Sequence, residues 1–138
     1  MAVGQEKTGR VNPEIIKAMG AYGGGVARSG RVCGILTGAV GMVASLYGTG
    51  DPAVQEDPKL KPLAVKLVRR FEELTAPYGG VDCACIVEID FNDEQKRRWF
   101  RTAPDSTRRR CESLICDMAV FLGEVLEENR PWPAARDA

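Results

Sequence analysis

The sequence contains no histidine, and this absence removes several kinds of site at once. Without an imidazole there is no histidine general base, no cysteine–histidine nucleophile pair, no histidine ligand for haem and no mixed Cys/His zinc site. An excess of charge is also lacking, because Lys plus Arg and Asp plus Glu number 19 each. No overall field therefore attracts a nucleic acid, and we expect no nucleic-acid partner.

Long hydrophobic runs are missing as well. The most apolar stretch, around residues 32–47, is interrupted by glycine, threonine and serine and is too short to span a bilayer. The first residues, Met1 to Lys7, lack the apolar segment of a secretory signal peptide. We therefore expect a cytoplasmic protein that does not insert into membranes. A local basic cluster is typical of a solvated helix face, since acidic residues are interleaved with it: Lys96, Arg97, Arg98, Arg101, Arg108, Arg109 and Arg110.

The composition is that of one folded domain, with 138 residues, of which 44% are hydrophobic and 28% charged. Apolar spacing and capping residues predict an all-α fold, a small bundle of about four to five helices with a Gly-rich helix at its centre. The predicted helices cover about 12–19, 30–47, 58–74, 93–100 and 105–128. We expect residues 1–11 to form a flexible arm, 12–128 a single domain and 129–138 a tail.

The Gly-rich helix has small residues at a spacing of three to four, among them Gly34, Gly38 and Gly41. Such a spacing gives a nearly flat face that lets another backbone approach closely. A buried strand of the same length is the alternative for this stretch.

Five cysteines are the most informative residues of the chain, because structural disulfides are uncommon in the cytosol and an odd number cannot pair completely. Cys33 lies near the start of the Gly-rich helix, where unpaired N–H groups and the helix dipole lower a thiol pKa. Cys83 and Cys85 fall in a predicted loop, where two thiols so close together are candidates for a local metal chelate or a redox pair. Cys111 lies on the apolar stripe of the last helix. Cys116 lies about 140° from Cys111 around the axis of the last helix, so the two side chains point apart, and we expect Cys116 to be a packing residue. A small buried thiol without chemistry is the alternative for Cys33.

Glycines next to Cys33 are candidate cofactor-binding residues, namely Gly24, Gly25 and Gly34. Their arrangement before a helix is similar to a phosphate cradle, but it fits neither a Walker A loop nor a dinucleotide fingerprint. The alternative is that they let the backbone pass close to a cluster or to another helix.

Taken together, these pieces resemble the C-GCAxxG-C-C family of redox-active proteins over about residues 12–128. The resemblance rests on the Gly-Gly-Gly segment, the helix opening Cys33-Gly34-Ile35-Leu36-Thr37-Gly38, the ending Leu46–Gly48, and the later Cys83 and Cys111. Related modules occur in split-Soret-type cytochromes, where they are associated with an iron–sulfur centre. The family implies a helical domain that gathers four cysteines.

The sequence departs from the family pattern in two places. Ile35 replaces the usual alanine, and the polar residues 1–11 contain no counterpart of the helix that carries the first cysteine. The resemblance implies Cys33, Cys83 and Cys111 as metal ligands. Cys85 is then the candidate for the fourth, with Cys116 or a partner chain as alternatives. The missing helix would leave an apolar face uncovered, which favours a homodimer or a subunit of a complex.

The leading hypothesis is therefore a [2Fe–2S]-type iron–sulfur protein that acts in electron transfer or redox sensing with a redox partner protein, rather than an enzyme that turns over a substrate. One alternative is a metal-free thiol–disulfide protein, with Cys33 as the attacking thiolate and Cys83 or Cys111 as the resolving thiol. Another is a structural or interaction protein with an all-cysteine zinc site.

Overall fold

The computed structural model describes residues 1–133, and these residues form seven α-helices without a β-strand. The helices are α1 Ala2–Thr8, α2 Pro13–Met19, α3 Gly34–Tyr47, α4 Leu60–Thr75, α5 Cys83–Val87, α6 Glu94–Thr102 and α7 Arg108–Glu128. Single turns of 3₁₀-helix cover Gly20–Tyr22 and Ala76–Tyr78. The predicted all-α class is confirmed, and the count exceeds four to five because two short helices, α1 and α5, add to it.

Helix α3 lies at the centre and packs against α1, α4 and α7. The side chains of Met42 and Val43 on α3, Phe71 on α4 and Val125 on α7 are fully buried in one core. The face of α3 that carries the small residues is covered by the N-terminal residues of the chain, as the spacing predicts. A Cβ atom at Gly41 would lie 3.1 Å from the terminal methyl carbon of Met1. The alternative of a buried strand is wrong.

The prediction of a flexible arm over residues 1–11 is wrong, because Ala2–Thr8 is a helix that packs on α3 and α7. Gly9 ends it in the left-handed conformation at φ 68°. Gln5 is only 2% exposed, and its side chain binds the backbone of Asn12, accepting from N at 2.9 Å and donating to O at 3.2 Å. These tertiary contacts, which local periodicity does not contain, hold a polar seven-residue helix in place.

Two of the helix starts follow the capping residues in the sequence. The Asn12 side chain accepts hydrogen bonds from the N–H groups of Glu14 and Ile15, and Pro13 opens α2. Asp93 caps α6 in the same way. At the other end of the chain, the indole Nε1 of Trp132 donates to the carbonyl of Leu126 at 2.9 Å. The predicted tail therefore begins with packed residues, and residues 134–138 lie outside the described part.

The start of the Gly-rich helix differs from the prediction, since α3 begins at Gly34 and not near residue 30. The residues before it form a left-handed turn, with φ of 69° at Gly24, 73° at Gly25, 55° at Val26, 51° at Ala27 and 66° at Arg28. Side-chain-bearing residues rarely adopt this conformation, which costs each of them about 1–2 kcal/mol. Such strain persists only where the surroundings enforce it, and it is common near functional sites.

The region 81–91 is also more ordered than predicted, because Cys83–Val87 forms the short helix α5 and not a loop. None of the helices within residues 1–133 combines the length and the apolar character needed to cross a membrane.

Candidate functional site

Two backbone hydrogen bonds bring Cys33 and Cys83 side by side. The N–H of Cys33 donates to the carbonyl of Val81 at 3.1 Å, and the N–H of Cys83 donates to the carbonyl of Arg31 at 2.8 Å. Cys33 is the N-cap of α3 and Cys83 is the first residue of α5, so two helices begin at the same place. Both thiols are buried, with 4% and 5% of their surface exposed. Residues 50 positions apart in the sequence thus form one thiol pair.

The pKa values of the two neighbouring thiols are shifted in opposite directions. The Cys83 thiol stabilises the Cys33 thiolate, and the N–H groups of Ile35 and Leu36 add to this, so that the pKa of Cys33 falls to about 7 in spite of its burial. The pKa of Cys83 is raised, because its proton is held by Cys33 and because it is buried beside the charge of Cys33. Above about pH 7 the pair therefore holds mostly one thiolate, at Cys33, and one thiol, at Cys83.

Cys111, on α7, faces the same cavity as the pair. This cavity of about 550 Å³ is lined by all three thiols and mostly by apolar groups. Burial, followed by the negative charge of Cys33, raises the pKa of Cys111 to about 11, against the opposite effect of Arg108. Cys111 is thus held in its protonated form beside a thiolate. We call this space, with Cys33, Cys83 and Cys111 in its wall, the thiol cavity.

The remaining cysteines lie elsewhere. Cys85 is half-buried next to Gly80 and is not part of the thiol cavity, and Cys116 is exposed on α7. The structure thus brings together three of the four predicted ligands. The expectation that Cys116 serves packing is wrong, because its position on α7 faces solvent. Over residues 1–133, no three His, Cys, Asp or Glu side chains are arranged as a group that could hold a metal ion.

The three glycines predicted to bind a cofactor are all places of close backbone approach. Gly24 and Gly34 line the thiol cavity, whereas Gly25 is buried behind Cys83. A Cβ atom at Gly25 would lie 2.8 Å from the Cβ of Cys83, and one at Gly34 would lie 2.8 Å from the carbonyl oxygen of Tyr22. These contacts support the alternative in which the glycines let backbones approach the thiols.

Several residues of the cavity wall were missed by sequence reasoning. Phe91 and Phe100 meet edge to face, with ring centroids 5.5 Å apart, and both line the thiol cavity. Nothing in their local sequence indicates this. Arg108 and Ile115 also line it, and they lie three before and four after Cys111 on α7. That helical spacing places them on the face of Cys111, so the sequence contained a signal for them.

The lowered pKa of Cys33 predicts a shifted pH profile for its alkylation. We expect the rate for Cys33, followed by peptide mass spectrometry with iodoacetamide, to reach half its maximum near pH 7. In urea the midpoint should rise toward the ordinary value of 9.0. Because the folded value is the lower one, ionisation of Cys33 stabilises the fold as the pH rises above 7, and this contribution is lost as the pH falls through 7. An identical midpoint in the folded and unfolded chain would contradict the described contacts.

Comparison with known proteins gives one match. No curated protein and no solved structure matches the chain. A family model with the description "Putative redox-active protein (C_GCAxxG_C_C)" matches residues 1–125. The match includes α1 and all five cysteines, so it begins earlier than the similarity recognised from about residue 12. With most of its length covered by this model, the chain belongs to the C_GCAxxG_C_C family.

Proposed function

We propose that the protein is a thiol redox protein in which Cys33 and Cys83 are oxidised together to a disulfide and then reduced again. The observation that carries this proposal is the pair of backbone hydrogen bonds, from Cys33 to Val81 and from Cys83 to Arg31, which places two buried thiols side by side in the wall of one cavity. A thiolate is the form that attacks a disulfide, and a neighbouring thiol is what completes the exchange.

The reaction balances as a two-electron exchange with a disulfide substrate. The Cys33 thiolate attacks one sulfur of the substrate, its S–S bond breaks, and a mixed disulfide forms while the first substrate thiolate leaves. Cys83 then loses its proton to that leaving thiolate and attacks the Cys33 sulfur, which releases the second substrate thiolate. Two protein thiols become one disulfide, and one substrate disulfide becomes two thiols.

Oxidation in a graded thiol–disulfide buffer tests this function. We expect the loss of two thiols per chain in one step, a linked pair of peptides that contain Cys33 and Cys83, and full recovery with dithiothreitol. Linkage through Cys85 or Cys116, or no linkage within the chain, would refute the proposal. Those two thiols lie away from the thiol cavity and serve as the internal control.

An iron–sulfur cluster is the second candidate, and the presence of Cys111 favours it. A dithiol pair needs no third cysteine, yet three thiols line the thiol cavity, which has room for an inorganic group. A [2Fe–2S] cluster takes four ligands and supplies one-electron transfer. Cys33, Cys83 and Cys111 are the residues that would hold it, but over residues 1–133 they are not arranged as a metal-binding group, so their side chains would have to move together on binding. Cys85 does not line this cavity, so a ligand from a partner chain would complete the set.

An anaerobic visible spectrum with iron and acid-labile sulfide assays separates the two candidates. Broad absorbance that bleaches with dithionite, with iron and sulfide in equal amounts, would favour the cluster. A colourless, iron-free protein that still forms the Cys33–Cys83 link would favour the dithiol function. A colourless protein with bound zinc would favour the structural alternative.

The setting that fits a thiol redox site is the cytoplasm, where thiols are kept reduced. We propose that the protein acts there as a redox accessory with a protein partner, and that it pairs with a second copy or a complex. The apolar side chains of Val3 on α1 and of Ile115 and Val120 on α7 are exposed, which supports a surface that a second copy or a partner chain covers. Light scattering in dilute solution tests the dimer.

A further inference from the structure

A second cavity adjoins the thiol cavity on the side of the left-handed turn. It measures about 570 Å³, a size typical of small-molecule sites. The two cavities share wall residues: Gly20, Gly23, Gly24, Phe91 and Phe100. A molecule bound in the second cavity therefore lies next to the space that Cys33 and Cys83 line.

The walls of this second cavity carry positive charge without a counter-charge. Arg28, Arg97 and Arg101 line it, and no carboxylate does. Within residues 1–133, none of these three arginines forms an ion pair with a carboxylate. All three positive charges would attract an anion bound between them. We call this space the arginine cavity.

One of the three guanidinium groups is already fixed in place. Arg97 is half-buried, and its Nη1 donates to the carbonyls of Phe91 at 2.7 Å and Asn92 at 3.1 Å. Those two bonds use one nitrogen, so the other donors of the guanidinium remain for a ligand. A planar, fixed guanidinium is well suited to bind a carboxylate or a phosphate.

We infer that the arginine cavity binds the anionic group of a small-molecule disulfide, and that this directs the disulfide sulfur toward Cys33 in the thiol cavity. The inference rests on the proposed thiol exchange and gives it a substrate class: a low-molecular-weight disulfide that carries a carboxylate or a phosphate. The exchange follows the two-electron course described above, with the anionic thiol as the leaving group.

A comparison of two disulfide reagents tests this. The reagents are 5,5′-dithiobis(2-nitrobenzoate), which is anionic at both ends, and 4,4′-dithiodipyridine, which is neutral. The parent protein carries Cys85→Ser and Cys116→Ser, so that only the three thiols of the thiol cavity react. The test variant adds Arg28→Gln and Arg101→Gln. A matched control adds Arg98→Gln and Arg109→Gln, which remove the same charge from exposed positions that do not line the arginine cavity.

The readout is the ratio of the rate with the anionic reagent to the rate with the neutral one. We expect the ratio to fall about tenfold in the test variant, because two charge-assisted contacts are lost, and to change less than about twofold in the control. An unchanged rate with the neutral reagent shows that the variants are folded and that their thiols are intact.

Two results would overturn the inference, and they differ in what else they overturn. If the ratio falls equally in the test and control variants, only the overall charge matters, and the inference fails while the thiol exchange stands. If Cys33 of the parent protein reacts with neither reagent, the proposed thiol exchange fails, and this inference fails with it.

Discussion

In a protein that carries Cys85→Ser and Cys116→Ser, replacing Cys33 by serine is expected to abolish the reversible loss of two thiols and to slow the reaction with a small disulfide by roughly 100-fold or more. Cys33 has its pKa lowered to about 7, so about half of it is thiolate at that pH, whereas Cys111 and Cys83 have raised pKa values. Serine keeps the size of the side chain but is a far weaker nucleophile. Stopped-flow measurement of released thiol gives the rate.

The partner variant and the control distinguish chemistry from folding. Cys83→Ser should leave Cys33 able to attack, though more slowly because the Cys83 thiol no longer lowers the pKa of Cys33, and should trap a mixed disulfide at Cys33. Cys116→Ser changes an exposed thiol outside the thiol cavity and should alter neither the Cys33–Cys83 linkage nor the stability. A Cys33→Ser protein that still forms a reversible disulfide would show that another pair does the chemistry.

Gly25→Ala is expected to destabilise the fold by about 2–5 kcal/mol, the sum of a left-handed backbone penalty and an overpacking cost. The φ of Gly25 is 73°, and an added Cβ would contact the backbone of Arg31 and lie 2.8 Å from the Cβ of Cys83. Urea unfolding measures the loss. The yield of the Cys33–Cys83 link should fall in the same variant, because Cys83 has to move.

Gly9→Ala is the matched control for this prediction. The φ of Gly9 is 68°, close to that of Gly25, but an added Cβ would meet nothing within 4 Å. Its cost should therefore be the backbone penalty alone, about 1–2 kcal/mol. Equal costs for the two variants would mean that the surroundings of Gly25 yield to a methyl group, and that the close approach to Cys83 has no effect on stability.

The parts of the fold that the sequence predicted are those with local signals. Helices α4 and α7 are long and amphipathic, and α2 and α6 begin at side chains that cap them. Helices α1 and α5 are seven and five residues long, too short to show a period, and tertiary contacts hold them. Their positions depend on residues distant in the sequence, so a local pattern could not predict them.

The residues of the candidate site also divide into those with a signal in the sequence and those without one. Cys33, Cys83 and Cys111 were predicted from family spacing and from helix phase, and they do share one cavity. Cys85 was expected to join them as part of a loop chelate. In the helix α5, side chains two residues apart point in directions that differ by about 160°, so Cys85 is directed away from Cys83. The arginine cavity was hidden, because Arg28 lies in the left-handed turn whereas Arg97 and Arg101 lie on α6, far away in the sequence.

The left-handed turn from Gly24 to Arg28 has a consequence for how the molecule assembles. An unfolded chain seldom visits this conformation at Val26, Ala27 and Arg28, since it is unfavourable for side-chain-bearing residues. We therefore expect the turn to form after α3 and α5 have docked and to be unformed in the folding transition state. Substitutions in the turn should then change the unfolding rate and leave the folding rate nearly constant. Docking of α3 and α5 itself brings Cys33 next to Cys83, so on this expectation the thiol pair forms before the turn closes beside it.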